Sequence, residues 1–84
     1  MTVQPVDREL SPLDCYTPHK PGARYGYRGT VIVGEADGWM VYEGDRPMDA
    51  NFAEIGWGSE MFDAMQVANE HVDGCERMPL RRAA

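Results

Sequence analysis

The sequence predicts an α+β domain: a three-stranded antiparallel meander packed on one C-terminal helix, with a proline-rich N-terminal arm. Three observations carry that expectation. Strand-type apolar runs separated by turn signals fill residues 27–55, a 3.6-residue period takes over after residue 59, and four of the six prolines fall within residues 1–23. The chain of 84 residues suffices for one domain. A domain of that size buries only about 60–65% of its unfolded surface. Its 43% apolar content, with Trp39 and Trp57 in mid-chain, still favours a globular state over disorder.

In the arm, Pro5, Pro12, Pro18 and Pro21 oppose helix and central strand, so residues 1–23 are expected to be extended or irregular. Leu10, Leu13 and Tyr16 supply it with apolar material for packing. The domain proper is expected over residues 24–76. Its first strand is the β-branched run "YRGTVIVG" at 27–34, followed by a hairpin turn at Asp37-Gly38 and a second strand, "WMVYE", at 39–43. Pro47 excludes a strand from "GDRPMD", and "NFAEI" at 51–55 reads as a short edge strand. Met61, Ala64, Met65, Ala68 and Val72 then form one helical stripe, with Ser59 as N-cap and Gly74 as the stop. Residues 77–84 are expected to be a basic flexible tail. On the sheet, Val31, Val33, Trp39, Val41, Ala53 and Ile55 are assigned to the helix-facing side, and Ile32, Met40, Tyr42 and Phe52 to the other. That second face is too apolar to be simply solvated, so the arm, a partner or a second copy of the chain should cover it.

The net charge of −6 is unevenly spread. Residues 35–76 hold eleven carboxylates against Arg46 alone, a net −10, whereas residues 1–34 carry +1 and residues 77–84 carry +3. Phosphate contacts need Lys and Arg, so direct nucleic-acid binding by the domain is disfavoured. A basic protein partner is favoured on the same grounds. No apolar run approaches the roughly 18–20 residues of a membrane span. The N-terminal residues lack the basic and apolar regions of a secretory signal. A cytoplasmic location is therefore expected, in the producing cell or in a host, with Cys15 and Cys75 reduced.

Cys15 and His19 are four apart, as are His71 and Cys75, and a Cys2His2 set can close a tetrahedral zinc site. Against zinc stand the uncommon Cys-x3-His spacing and the helix stop expected between His71 and Cys75. A Cys15–Cys75 disulfide and two unlinked thiols are the other readings. The loop around Asp37 lacks the alternating oxygen ligands and closing glutamate of a calcium loop. No nucleophile has a recognisable local setting, "GYRG" and "GWG" are not followed by Gly-Lys-Ser/Thr, and the helical acids fall on a solvated face. The chain is therefore read as having no catalytic residues, no cofactor and no metal.

What remains is an acidic surface. Glu35, Asp37, Glu43, Asp45 and Asp49 lie on two neighbouring turns, where they can act as phosphate surrogates towards a basic groove, with Tyr42 and Trp57 as aromatic anchors. Residues 27–73, through "GWMVYEGDR", "NFAEIGWGSE" and the helix stepping Ala64, Ala68, Val72, resemble the layout of small phage and prophage proteins. With its short length and acidity, the chain looks like an anti-CRISPR protein. That resemblance implies a stoichiometric inhibitor occupying the basic nucleic-acid-binding surface of a CRISPR effector complex. Anti-CRISPR proteins share no common motif, so it assigns no residue by position. The alternative reading is a small structural or regulatory accessory domain, stapled by zinc through Cys15, His19, His71 and Cys75.

Overall fold

A computed structural model describes residues 6–44 and 53–83, the last nine of these as backbone alone. The class is α+β, as the change of period implies, but the sheet has five strands instead of three. In order along the chain these are β1 (Arg8–Glu9), β2 (Arg24–Tyr27), β3 (Thr30–Gly34), β4 (Trp39–Glu43) and β5 (Glu54–Gly58), followed by helix α1 (Met61–Ala83). Strand order follows chain order; β1 runs parallel to β2 and every other pairing is antiparallel.

Of the two additional strands, β2 comes from a turn that the sequence conceals and β1 from the arm. Tyr27 and Thr30 are partners across a two-residue turn at Arg28-Gly29, whose φ angles are 51° and 84°. Two positive φ values match the twist of a tight hairpin, and an arginine in the first of them gives little warning. One continuous strand was expected here, but the chain folds back on itself and releases Arg24–Tyr27 as a separate strand. The arm is not irregular throughout either. Arg8 and Glu9 add to the edge of β2, Leu10 is buried, and Ser11 caps a single 3-10 turn at Pro12–Asp14. The Asp14 carboxyl accepts from the Ser11 backbone N–H at 2.7 Å, which holds its pKa below the ordinary 3.8.

Turn length also settles which side chains share a face. The four-residue loop Glu35–Gly38 makes Gly34 the partner of Trp39, so Ile32 lies opposite Val41 and Val31 opposite Tyr42. Directly opposed residues project to the same side. The helix-facing core therefore contains Ile32, Trp39 and Val41 with Leu10, Ala23, Tyr27, Met61, Ala64, Met65 and Ala68, and Ile55 packs against it. Val31, Val33, Tyr42 and Ala53 form the cluster on the other face, joined by Val6 and Met40. The expected assignment is thus corrected for Val31, Val33, Ala53 and Ile32, and holds for Trp39, Val41, Ile55, Met40 and Tyr42. Phe52 lies outside the described residues.

Helix α1 is seated by small residues. Gly56 and Gly58 project no side chain where the helix crosses β5: a Cβ at Gly56 would come 2.7 Å from Val67 Cγ1, and one at Gly58 would collide with the Ala64 backbone. The hairpin tip of β2 and β3 holds the helix further along. Asn69 Oδ1 accepts from the Tyr27 hydroxyl at 2.9 Å and from Arg28 Nη1 at 2.7 Å, while Arg28 Nη2 pairs with Asp73 at 3.1 Å. Two expected boundaries need correction. Ser59 lies two residues before the helix and donates to the Asp63 carboxylate at 3.1 Å, so it is not the N-cap. Gly74 does not stop the helix, because its φ is not in the positive region a glycine stop adopts. The helix runs on through most of residues 77–84, including Pro79, where a flexible tail was expected.

These two glycine environments predict opposite outcomes. Gly58→Ala should cost roughly 1–3 kcal/mol of unfolding free energy through overpacking. Gly74→Ala, with open space around its Cβ, should add about 0.5–1 kcal/mol through helix propensity. Urea titration of both variants checks the pair; equal stability of Gly58→Ala and the parent would show that the helix does not sit on β5 in this way.

A candidate acidic interface at the β5 edge

Of the seven residues proposed for partner contact, the five described do not form one patch. Glu35 and Asp37 occupy the β3–β4 turn, where Glu35 N–H donates to Gly38 O at 2.8 Å. Trp57 joins them: its ring lies against Gly38, filling the volume that a Cβ there would need. Trp57 remains 42% exposed, an accessible aromatic at this end of the sheet. His19 holds the turn from the other side. Its Nε2 stands 2.7 Å from Glu35 O and 3.1 Å from Gly38 O, and two carbonyl acceptors require that nitrogen to carry the proton. The His19 ring meets Trp39 edge-on at 5.5 Å, so the turn is anchored into the core.

Glu43 and Tyr42 belong elsewhere. Glu43 ends β4 at the opposite end of the strand, and its half-buried Oε1 accepts from His71 Nε2 at 2.7 Å. Tyr42 is buried on the second sheet face, 8% exposed, where it serves as packing material. Burial, reinforced by the nearby charges of Glu35 and Glu54, raises its pKa above the ordinary 10.0, with Arg24 opposing them. Asp45 and Asp49 lie outside the described residues.

The structure adds residues the charge count alone did not select. A cleft of about 390 Å³ runs beside β5 and is lined by Trp57, Gly58, Ser59, Asp63, Gln66, Val67 and Glu70. Its two carboxylates are engaged by neutral donors, Asp63 by Ser59 and Glu70 by Gln66 at 3.2 Å, and its lining contains no Lys or Arg. Asp63 and Glu70 are seven residues apart, two turns along one side of the helix. Sequence reasoning placed them on an undifferentiated solvated face, because nothing in the helical pattern reveals which flank overhangs the open strand.

As for metal chemistry, no group of three or more His, Cys, Asp or Glu side chains converges among the described residues. His19 is committed to the β3–β4 turn and His71 to Glu43, while Cys15 packs as a free thiol against the helix-side core. The Cys75 side chain lies outside the described set. No described helix is long and apolar enough to cross a membrane. Compared with family models, curated proteins and solved structures, the chain matches none.

Tyr42 gives the fold a definite alkaline response. Its folded-state pKa is raised, so the folded chain retains a proton that the unfolded chain releases, and stability is lost as pH climbs through and beyond about 10. Urea unfolding at pH 9 and at pH 11 should show a smaller decline for Tyr42→Phe than for the parent. An identical decline in both would assign the alkaline loss to other groups.

Proposed function

We propose that this chain is a non-enzymatic, acidic binding protein that masks a basic, nucleic-acid-binding surface on a larger protein or ribonucleoprotein complex. The observation that carries the reading is the placement of exposed Trp57 against the turn bearing Glu35 and Asp37, beside a cleft whose only charged lining groups are Asp63 and Glu70. An aromatic ring flanked by carboxylates fits guanidinium groups doubly: the ring face attracts the cation and the carboxylates accept its N–H groups. In this reading the carboxylates stand in for the phosphates that the basic surface ordinarily holds. The potential of the whole acidic segment steers the encounter, and the aromatic contact holds the docked state. Within this reading the chain acts in the cytoplasm, and a CRISPR effector complex is the target class that the likeness to anti-CRISPR proteins suggests.

A tagged chain retained on resin should capture a nucleic-acid-binding complex from bacterial lysate at low salt and shed it at high salt, with the captured proteins identified by mass spectrometry. The Glu35→Lys/Asp37→Lys double variant should keep its melting temperature, because both side chains sit in a turn outside the core. It should lose about tenfold or more in affinity for the captured complex. Undiminished capture by that variant would refute the assignment of this turn to the interface.

A further inference from the structure

The open edge of β5 supplies backbone groups as well as side chains. Glu35 N–H bonds Gly38 O and Glu43 N–H bonds Ala53 O, which fixes the alternation of the antiparallel ladder. Trp39, Val41 and Glu43 direct their backbone groups towards β5, so their partners Gly56 and Gly58 face inwards. Trp57, between those two glycines, therefore turns its N–H and C=O outwards, away from β4. Among the described residues no strand pairs with that side of β5. The cleft lies along it, with the α1 residues Asp63, Gln66, Val67 and Glu70 on the helix side and Trp57, Gly58 and Ser59 on the strand side.

Resting on the acidic-binding reading above, we propose that the partner engages this edge as an added β-strand: an extended segment with Lys or Arg on alternate residues. The ladder hydrogen bonds of Trp57 provide sequence-independent attachment, and alternate side chains provide selection. Side chains projecting towards α1 meet Asp63 and Glu70, two carboxylates with no basic group in the same cleft, which selects cations there. Val67 between them covers the aliphatic stems of those cations. Side chains projecting to the other sheet face lie beside Trp57, which suits aliphatic or planar groups. An acidic strand is rejected by the same two carboxylates, and a neutral one leaves them without compensation. Along a strand, two alternate cations stand about 7 Å apart and three span about 14 Å, which brackets the roughly 10.5 Å of helix between Asp63 and Glu70 and lets long side chains reach both.

The test uses the full chain and two synthetic heptapeptides, Arg-Thr-Arg-Val-Arg-Thr-Arg and the same sequence N-methylated at alternate residues. N-methylation retains the charge and removes the ladder donors. Titration followed by amide NMR shifts should show binding of the first peptide with the largest changes at Gly56, Trp57 and Gly58, and about tenfold or weaker binding of the methylated one. Asp63→Asn/Glu70→Gln, which retains the hydrogen bonding to Ser59 and Gln66, should reduce binding by about tenfold, while Glu35→Lys/Asp37→Lys affects it less. Equal binding of the two peptides overturns strand addition but leaves a salt-sensitive acidic surface standing. Peptide binding lost only in the Glu35/Asp37 variant moves the contact to the turn and removes the groove from it. Concentration-dependent shifts at β5 without peptide would make a second copy of the chain the occupant and overturn the basic partner. Absence of peptide binding overturns strand addition, and the lysate capture then decides the broader reading by itself.

Discussion

The crossing of α1 over β5 governs this structure. Two glycines, separated by one tryptophan, let a helix backbone approach a strand more closely than side chains ordinarily permit. The small residues of the helix continue the same logic, since Ala64 and Ala68 are fully buried. Trp39, on the neighbouring strand, fills the volume beneath and is itself completely buried. Close approach brings dispersion contacts that a wider separation would forfeit. It also places the helix flank over the sheet edge, so the tight seat and the overhung cleft have one origin. The hairpin tip, through Arg28 and Asn69, then fixes the orientation of the helix farther along.

The same pair of glycines explains the alternation of roles along "GWG". Gly56 and Gly58 face the helix, where no side chain would fit; Trp57, one residue along the strand, faces the opposite side with its partner Met40 and stays partly exposed. Its ring rests on a third glycine, Gly38, which belongs to the turn carrying Glu35 and Asp37. Structural economy therefore joins the helix seat, the acidic turn and the exposed aromatic into one end of the molecule.

Much of the fold was legible in the sequence, and the parts that were not have identifiable physical causes. Alternation and the later 3.6-residue period revealed the central strands and the helix, and the stripe through Met61, Ala64, Met65 and Ala68 was read correctly. Parity was not legible: two adjoining strands each display their faces, but only the length of the intervening loop says which faces coincide, and that reversed Ile32 against its neighbours. The strand at Arg24–Tyr27 was hidden because its turn uses Arg28 in a conformation that favours glycine and asparagine. At the candidate site, charge counting singled out Glu35, Asp37 and Trp57, and the structure sets Trp57 against the turn that carries the two acids. Charge counting could not separate carboxylates that face a cleft from Glu43, which is engaged by His71, or recognise Tyr42 as buried. Asp63 and Glu70 were visible as acids, but their relation to the edge is a property of packing.

The sheet is unequal at its two margins. On one side β1 contributes only two residues, both charged, and Arg8 extends over the Tyr25 ring at 5.4 Å. A margin so short and so charged is a poor template for further pairing. Endless growth of a fibre needs two complementary margins on every unit, one to receive and one to be received. Among the described residues a receptive margin exists on the β5 side alone, so under the strand-addition proposal edge-to-edge association ends after one event. A fold engaged in that way would act as a terminator, completing another sheet or being completed once without seeding a polymer.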